Sequence, residues 1–268
     1  MYVVFSSFGN DSVALIQWAI HVAKLTDVHV AYSNTGWAAK WWPNRVEKCA
    51  NWLKQCGFKY SEIPSEGFKD MVRRKKGFPR QGYQYCTGEL KIAPAMKWLD
   101  EIDPEKKATV LIGVRREESN NRKDFPEWTV NSNAHGGRTC WAPLVNYTEA
   151  DRNDLLFDAG FEPLPHRSME CFPCINSNRR DILELAKDPE RIQEIEDFET
   201  EMGFTSKGKP RTMFRPYRHQ GATGIKEIVK WAKANGRYRK MKNAPEFDLD
   251  DGTDGPNEGG CLSGWCGI

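Results

Sequence analysis

The sequence predicts an α/β fold, with a parallel sheet and helices first, then a helical C-terminal part and a flexible tail. Three short apolar runs, at Val3–Phe5, Val28–Ser33 and Thr109–Val114, read as buried strands. Asp11–Lys24 is apolar on nearly every side, which is typical of a helix packed against a sheet. Strands that alternate with helices form βαβ units and therefore a parallel sheet.

The same patterns predict the remaining elements and their grouping. Helices are expected at residues 44–55, 90–102, 149–159, 179–202 and 224–235, with a weaker strand at residues 60–63. Pro189 is expected to split the helix of residues 179–202. We expect an α/β domain over residues 1–145, its helical continuation over residues 146–243, and a mobile acidic tail over residues 244–268.

Composition limits the class of protein. The 268 residues are 39% hydrophobic, and no apolar run reaches the roughly 18 residues of a membrane span. Met1 leads directly into a strand-like run without a basic segment or a cleavage site, so we expect no secretion signal and a cytoplasmic location. Eight cysteines in a reducing compartment indicate metal or redox work more than structural disulfides.

Charge is unevenly distributed although the net charge is only +2. The segment Lys207–Lys242 contains twelve Lys or Arg and one acid, Glu227, whereas six acids follow between Glu246 and Glu258. The basic segment suits the phosphates of a nucleotide or of a nucleic-acid backbone. A solvated surface partly neutralised by the acidic tail is the alternative, and the sequence leaves both open.

The first chemical signal is the loop between the first strand and the first helix. Gly9 allows close approach of the backbone to an anion, and the helix start offers free N–H groups. Asp11 fits beside a phosphate when Mg²⁺ lies between them. A simple helix cap is the alternative. The predicted phosphate-binding residues here are Ser6, Ser7, Phe8, Gly9, Asn10 and Ser12, with Asp11 in a catalytic role.

This loop resembles a known family motif. Ser7–Ser12 is similar to the PP-loop Ser-Gly-Gly-x-Asp-Ser of ATP pyrophosphatases, with Phe8 in place of the first glycine. Ser-Phe-Gly is instead typical of the branch that reduces phosphoadenosine phosphosulfate (PAPS) and adenosine phosphosulfate (APS). The loop is therefore reductase-like in its first half and pyrophosphatase-like in its second.

Four further segments resemble the same PAPS reductase family. Asn34–Gly36 is similar to its Asp-Thr-Gly, and Cys86–Pro94 to its Cys-x-x-x-(Leu/Arg)-Lys-x-x-Pro. Gly113–Arg122 is similar to its Gly-x-Arg-x-x-(Glu/Gln)-Ser-x-x-Arg, and Pro143–Asp151 echoes a Pro-Leu-x-x-Trp-x-x-x-Asp segment. The resemblance covers the first two thirds of the chain and implies a Rossmann-like fold of the adenine nucleotide α-hydrolase type.

The resemblance also implies nucleotide-binding residues outside the loop. Lys91, Arg115 and Arg122 are expected to hold an anion, for which arginine forks are well suited. The other expected nucleotide-binding residues are Asn34, Thr35, Gly36, Gly113 and Ser119.

The cysteines form two groups. Cys171 and Cys174 form a Cys-x-x-Cys motif, which suits a Zn²⁺ site, an iron–sulfur site or a redox pair. In the APS-reductase branch such a motif and a Cys-Cys pair hold a 4Fe–4S cluster. Here only Cys86 stands where the pair would be, and we expect Cys140 as the fourth ligand.

The second group lies in the tail. Cys266-Gly267-Ile268 looks like a shortened form of the family's terminal Glu-Cys-Gly-(Leu/Ile)-His, whose cysteine attacks the sulfonyl sulfur. Cys266 is the expected nucleophile, and Cys261 or a thioredoxin-like partner the expected thiol that releases sulfite.

Three functions follow from these signals. The first is thiol-dependent reduction of an adenylyl sulfate. The second is an ATP pyrophosphatase, with Mg²⁺, that adenylylates a substrate for sulfur insertion, as in DNA phosphorothioation and tRNA thiolation. The third is a nucleotide-binding protein without catalysis. The expected partners are an adenine nucleotide (PAPS, APS or ATP), a thioredoxin-like reductant and nucleic acid, but no membrane.

Overall fold

A computed structural model describes residues 1–80, 82–215 and 221–234 of the chain. The strands are β1 (Tyr2–Phe5), β2 (Val28–Asn34), β3 (Lys59–Pro64), β4 (Thr109–Leu111), β5 (Trp128–Ser132) and β6 (Arg138–Trp141). The helices are α1 (Asn10–Gln17), α2 (Trp42–Gln55), α3 (Phe68–Lys75), α4 (Tyr85–Thr87), α5 (Ala93–Ile102), α6 (Glu149–Asp158), α7 (Arg179–Leu185), α8 (Pro189–Met202) and α9 (Ile225–Lys233). No helix among these residues is both long and apolar enough to cross a bilayer.

The six strands form one mostly parallel sheet in the order β3-β2-β1-β4-β6-β5. Strands β1, β2, β3, β4 and β6 run parallel, and β5 is antiparallel at the edge. The predicted α/β, Rossmann-like fold is confirmed. The strand order reverses direction between β1 and β4, and ligands of such sheets bind outside the carboxyl ends of the strands at that point.

Most predicted elements lie where the sequence placed them. The first helix continues from α1 into a π-helical turn at Trp18–Val22, and α5 is preceded by a similar turn at Gly88–Ile92. The predicted helix of residues 179–202 is split before Pro189, as expected, and Asp188 caps the second part through the amide of Arg191. Strands β5 and β6 and helices α3 and α4 were not predicted.

The described residues form two compact units. The first contains residues 1–67 and 87–171, with the whole sheet, and the second contains residues 68–86 and the described residues from 172 to 234. This division differs from the predicted boundary after residue 145, since α6 and the segment that ends at Cys171 belong with the sheet. Helix α6 packs against α1 inside the first unit.

One face of the sheet holds a continuous apolar core. Val3, Phe5, Val110 and Ile112 alternate along β1 and the β4 segment and pack with Leu99 of helix α5. Alternation sends the intervening residues to the opposite face, as expected for strands covered on both sides.

A buried ion pair fixes the end of α5 beside this core. Arg138 of β6 is fully buried and donates through Nε to Asp103 at 2.7 Å. Its Nη2 donates to the carbonyls of Leu99 and Asp103, so the guanidinium adds a second hydrogen bond to two carbonyls at the C-terminus of α5.

We predict that Arg138→Met destabilises the protein by about 3–5 kcal/mol, since Asp103 would remain as an uncompensated buried charge. Urea unfolding followed by circular dichroism measures the change. The control Arg73→Met removes an exposed pair with Glu201 and should change stability little. Equal losses in the two variants would contradict the role assigned to Arg138.

Candidate nucleotide-phosphate site

The loops that follow β1 and β4 meet at the reversal point of the sheet. A Cβ atom on Gly113 would lie 3.1 Å from the carbonyl oxygen of Asp11, so the loop after β4 passes directly over the first turn of α1. The structure therefore brings together two of the motifs that the sequence singled out.

Helix α1 begins with an open N-terminus. Gly9 is its N-cap residue, and no side chain caps the helix. The first-turn amides of Asn10, Asp11 and Ser12 come before the point where N–H groups find carbonyl partners within the helix. Together with the helix dipole, such amides are a binding site for an anion.

The serines of the loop build its backbone. The Ser6 hydroxyl accepts the amide of Phe8 at 3.0 Å, and the Ser7 hydroxyl accepts the amide of Gly9 at 3.4 Å. The Ser12 hydroxyl donates to the carbonyl of Gly9 at 3.2 Å. These three hydroxyls are buried. They therefore hold the loop in shape, and the backbone amides of α1 are the better candidates for direct phosphate contacts.

Phe8 explains how this loop dispenses with the first glycine of the PP-loop. Its φ of 55° lies in the left-handed region that glycine adopts most easily, so the residue carries backbone strain. The ring is fully buried and stacks on Tyr32 with centroids 5.8 Å apart. Arg45 of α2 donates to the Phe8 carbonyl at 2.7 Å. Packing and this hydrogen bond offset the strain.

A segment that the sequence analysis missed runs along the loop. Asn10 exchanges two hydrogen bonds with the backbone of Leu164, at 2.9 and 3.0 Å. A Cβ atom on Gly9 would lie 2.9 Å from the Cβ of Ser168. Gly9 is therefore required for the approach of Ser168, a reason different from the predicted approach of an anion. No local sequence signal marks residues 164–170, because their role depends on tertiary packing.

The Asn34–Gly36 motif lies at the carboxyl end of β2. The Asn34 side chain accepts the amide of Gly36 at 2.9 Å and donates to Glu62 at 2.7 Å. The Thr35 hydroxyl donates to the carbonyl of Glu170 at 2.6 Å. These side chains hold the loop and tie it to the segment of residues 164–171, so nucleotide contact by this motif stays a prediction.

Two arginines converge on Asp11. Arg115, in the loop after β4, donates to Asp11 at 2.9 Å and is only 6% exposed. Arg152, on α6, lies 3.8 Å from the same carboxylate. The sequence analysis missed Arg152 and noted its neighbour Asp151, which forms a capping box with Thr148 at the start of α6. The Thr148-x-x-Asp151 spacing is a recognisable cap, and it could have directed attention to Arg152.

The remaining predicted cations also have acidic neighbours. Arg122 is paired with Glu118, and burial lowers the pKa of its guanidinium. Lys91 is paired with Glu170 at 2.7 Å, and both side chains are largely buried. Ser119, between Glu118 and Arg122 in the chain, is exposed. The predicted anion ligands are thus balanced by carboxylates, and an incoming anion would depend first on the amides of α1.

The predicted four-cysteine site is not assembled in the residues that the structure describes. Within these ranges, no group of three or more His, Cys, Asp or Glu side chains is arranged to hold a metal ion. Cys140 lies in the core of the sheet, and burial raises the pKa of its thiol to about 12. The Cys140 thiol thus lies among apolar side chains, and its role as a metal ligand stays a prediction.

The other cysteines are divided between the units. Cys171 belongs to the first unit, and Cys86 and Cys174 to the second; all three are half-buried. A 4Fe–4S cluster held by these three cysteines and Cys140 stays a prediction, and we assign no chemistry to it.

Two predictions fall wholly or partly outside the described residues. Cys261 and Cys266 lie there, as does part of Lys207–Lys242. Within the described part of that segment, Lys226 is paired with Glu196 and Arg211 donates to the carbonyl of Met202. Contact between this segment and nucleic acid stays a prediction.

Residues 1–190 match the model of the phosphoadenosine phosphosulfate reductase domain. Among curated proteins, an uncharacterized 37.8 kDa protein of Escherichia phage 186 is 26% identical over 71% of this chain and 61% of its own length. An uncharacterized nin-region protein of Escherichia phage lambda is 26% identical over 68% of this chain and 60% of its own. The chain thus spans about three fifths of these relatives.

Among solved structures, the chain is similar to a phosphoadenylyl-sulfate reductase from Candida auris in a phosphate complex. The identity is 16% and the TM-score 0.43, over 61% of this chain and 75% of the other.

We predict that Gly9→Ala destabilises the protein by about 1–3 kcal/mol, because the added methyl group overlaps Ser168. Ser168→Gly in the same chain should recover most of that loss, with Ser168→Gly alone as the matched control. Urea unfolding of the four chains gives the coupling free energy. Strictly additive effects would show that the two residues do not touch.

We also predict that Arg152→Met weakens AMP binding by about 1.5 kcal/mol, because Asp11 loses a cation and repels the phosphate more strongly. Isothermal calorimetry provides the affinity. The control is Arg116→Met, since Arg116 carries the same charge but donates to the carbonyl of Phe125. Equal affinities of the two variants would rule out a role for Arg152 at the phosphate loop.

Proposed function

Because the chain belongs to the phosphoadenosine phosphosulfate reductase domain family, we propose that it binds an adenine nucleotide and reduces an adenylyl sulfate with its own thiols. The nucleotide phosphates would lie at the first turn of α1, beside Asp11. The observation that carries the binding proposal is the uncapped N-terminus of α1 at the reversal point of the sheet.

The close approach of Gly113 to Asp11 supports this position for the phosphates. Side chains from β4 and β1 loops can then reach one ligand from two directions, which is the usual arrangement at such a point. The serine hydroxyls and Arg45 hold the loop before a ligand arrives. A preformed loop loses less conformational entropy when it binds.

The two arginines beside Asp11 favour reduction over ATP cleavage. Its carboxylate is paired with Arg115 at 2.9 Å and has Arg152 nearby, so the protein's own cations balance it. An ATP pyrophosphatase would use such an acid to bind Mg²⁺. A phosphate–sulfate anhydride that is attacked by a thiolate requires no divalent ion at this position.

The proposed reaction uses the two tail cysteines. The Cys266 thiolate attacks the sulfonyl sulfur, the bond from that sulfur to the phosphate oxygen breaks, and the nucleotide leaves as a phosphate. Cys261 then attacks the sulfur of Cys266, which forms a disulfide and releases sulfite. The two thiols lose two electrons in forming the disulfide, and the sulfur of the sulfonyl group gains them as it is reduced from sulfur(VI) to the sulfur(IV) of sulfite. A thioredoxin-like dithiol then reduces the disulfide back to two thiols.

One observation favours the second candidate, an ATP pyrophosphatase that adenylylates a substrate for sulfur insertion. Asp11 is still 38% exposed, and it stands at an open helix N-terminus beside Ser12. A triphosphate that arrives with Mg²⁺ would find a carboxylate at that place. Nucleic acid bound by the basic segment would be the acceptor in this case.

We predict that the anaerobically reduced protein forms sulfite from PAPS or APS in the presence of a thioredoxin-like dithiol, and that Cys266→Ser abolishes this activity. Cys56→Ser is the matched control, because burial raises the pKa of the Cys56 thiol and keeps it protonated. Sulfite and nucleotide products are measured by chromatography and mass spectrometry.

The same incubations separate the alternatives. AMP and pyrophosphate from ATP with Mg²⁺, without sulfite from either PAPS or APS, would contradict reduction and support the second candidate. Nucleotide binding with no product under any condition would indicate a binding protein without catalysis.

A further inference from the structure

Glu170 has an unused acceptor in a buried place. Its Oε1 is paired with the Nζ of Lys91 at 2.7 Å. Its Oε2 is buried and has no hydrogen-bond partner among the described residues, although the side chain is only 7% exposed. A buried carboxylate oxygen without a partner costs free energy, so such an atom calls for an explanation.

Glu170 lies close to the candidate phosphate loop. Its carbonyl accepts the Thr35 hydroxyl at the end of β2, and Ser168, two residues earlier, packs against Gly9. Two residues of chain span at most about 7 Å, so the backbone of Glu170 lies within that distance of the residue that packs against the phosphate loop. The chain pairs again after Glu170, through a parallel bridge between Cys171 and Trp37.

A second buried polar group without a partner among the described residues lies near the carboxyl end of β2. The hydroxyl of Ser33, two residues before Thr35, is also buried without a partner among the described residues. Polar groups without partners at one end of β2 indicate that this end is built to meet polar groups of a ligand.

We propose that Glu170 is a specificity-determining residue for the nucleotide, whose Oε2 accepts a hydrogen bond from a donor on the nucleoside. The donor is the 6-amino group of the base or a hydroxyl of the ribose. Lys91 holds the carboxylate in place through Oε1. The inference rests on the proposed nucleotide site, and it adds the nucleoside group by which that site distinguishes one nucleotide from another.

The test measures selectivity rather than affinity. Binding of AMP, IMP, 2′-deoxy-AMP and 3′-deoxy-AMP to the full chain is measured by calorimetry. IMP has a carbonyl in place of the 6-amino group, and each deoxy nucleotide lacks one hydroxyl. The analogue that lacks the donor should bind about tenfold to a hundredfold more weakly than AMP, as expected for a hydrogen bond to a charged acceptor.

Glu170→Gln separates this role from a structural one. Glutamine has the same shape and keeps an acceptor for Lys91, but its amide would donate to the ligand or replace the charged acceptor. The ratio of AMP affinity to that of the discriminated analogue should fall close to one. A general loss of packing would weaken both nucleotides alike and leave the ratio unchanged.

Two further chains complete the test. Glu170→Asp keeps the charge and should keep the preference at lower affinity. The control Glu127→Gln changes a carboxylate beside β5 that accepts the Trp141 indole, and it should keep the wild-type ratio. Thermal melts confirm that each chain is folded.

The outcomes are distinct. A wild-type chain that binds none of the four nucleotides contradicts the proposed function, and with it this inference. A wild-type chain that binds them all with equal affinity, or a folded Glu170→Gln chain with the wild-type ratio, contradicts the inference alone. A ratio of AMP affinity to analogue affinity that falls close to one in the Glu170→Gln chain supports the inference.

Discussion

The ion pair between Arg115 and Asp11 joins the two loops on which the candidate site depends. Asp11 lies on the first turn of α1, and Arg115 lies in the loop after β4. The pair therefore links these two segments at the point where the strand order reverses. A side chain at position 113 would make a tight contact with the Asp11 backbone, with its Cβ 3.1 Å from the Asp11 carbonyl oxygen. Arg152 extends the contact to α6, which packs against α1. One carboxylate thereby fixes the mutual position of two loops and two helices.

The same ion pair determines which groups of the site are available to bind an anion. Carboxylates balance the arginines and Lys91, so the side chains present little unpaired positive charge to a phosphate. The amides at the open start of α1 are fixed dipoles that require no rearrangement. Binding would therefore begin at the backbone, and the arginines would exchange a carboxylate for a phosphate oxygen as the ligand settles.

The sequence predicted the parts of the site that have local signals. The loop of Ser7–Ser12 and the Gly113–Arg122 motif depend on residues that are close in the chain, and both lie where the parallel sheet requires. Arg152, Ser168 and Glu170 reach the loop only through tertiary packing, which periodicity does not reveal. The burial of Cys140 in the core was not predicted, because β6 has only four residues, too few for alternation to mark the thiol as a core residue.

The most direct test of the account is the response of the α1 backbone amides to AMP in the ¹⁵N-labelled protein. We predict that the amide resonances of Asn10–Ser12 shift downfield as AMP saturates, because each gains a charge-assisted hydrogen bond to phosphate. The first turn of α8, capped by Asp188 and part of the second unit, is the internal reference and should not move. Saturable AMP binding that leaves Asn10–Ser12 unshifted and moves amides elsewhere would contradict the central claim.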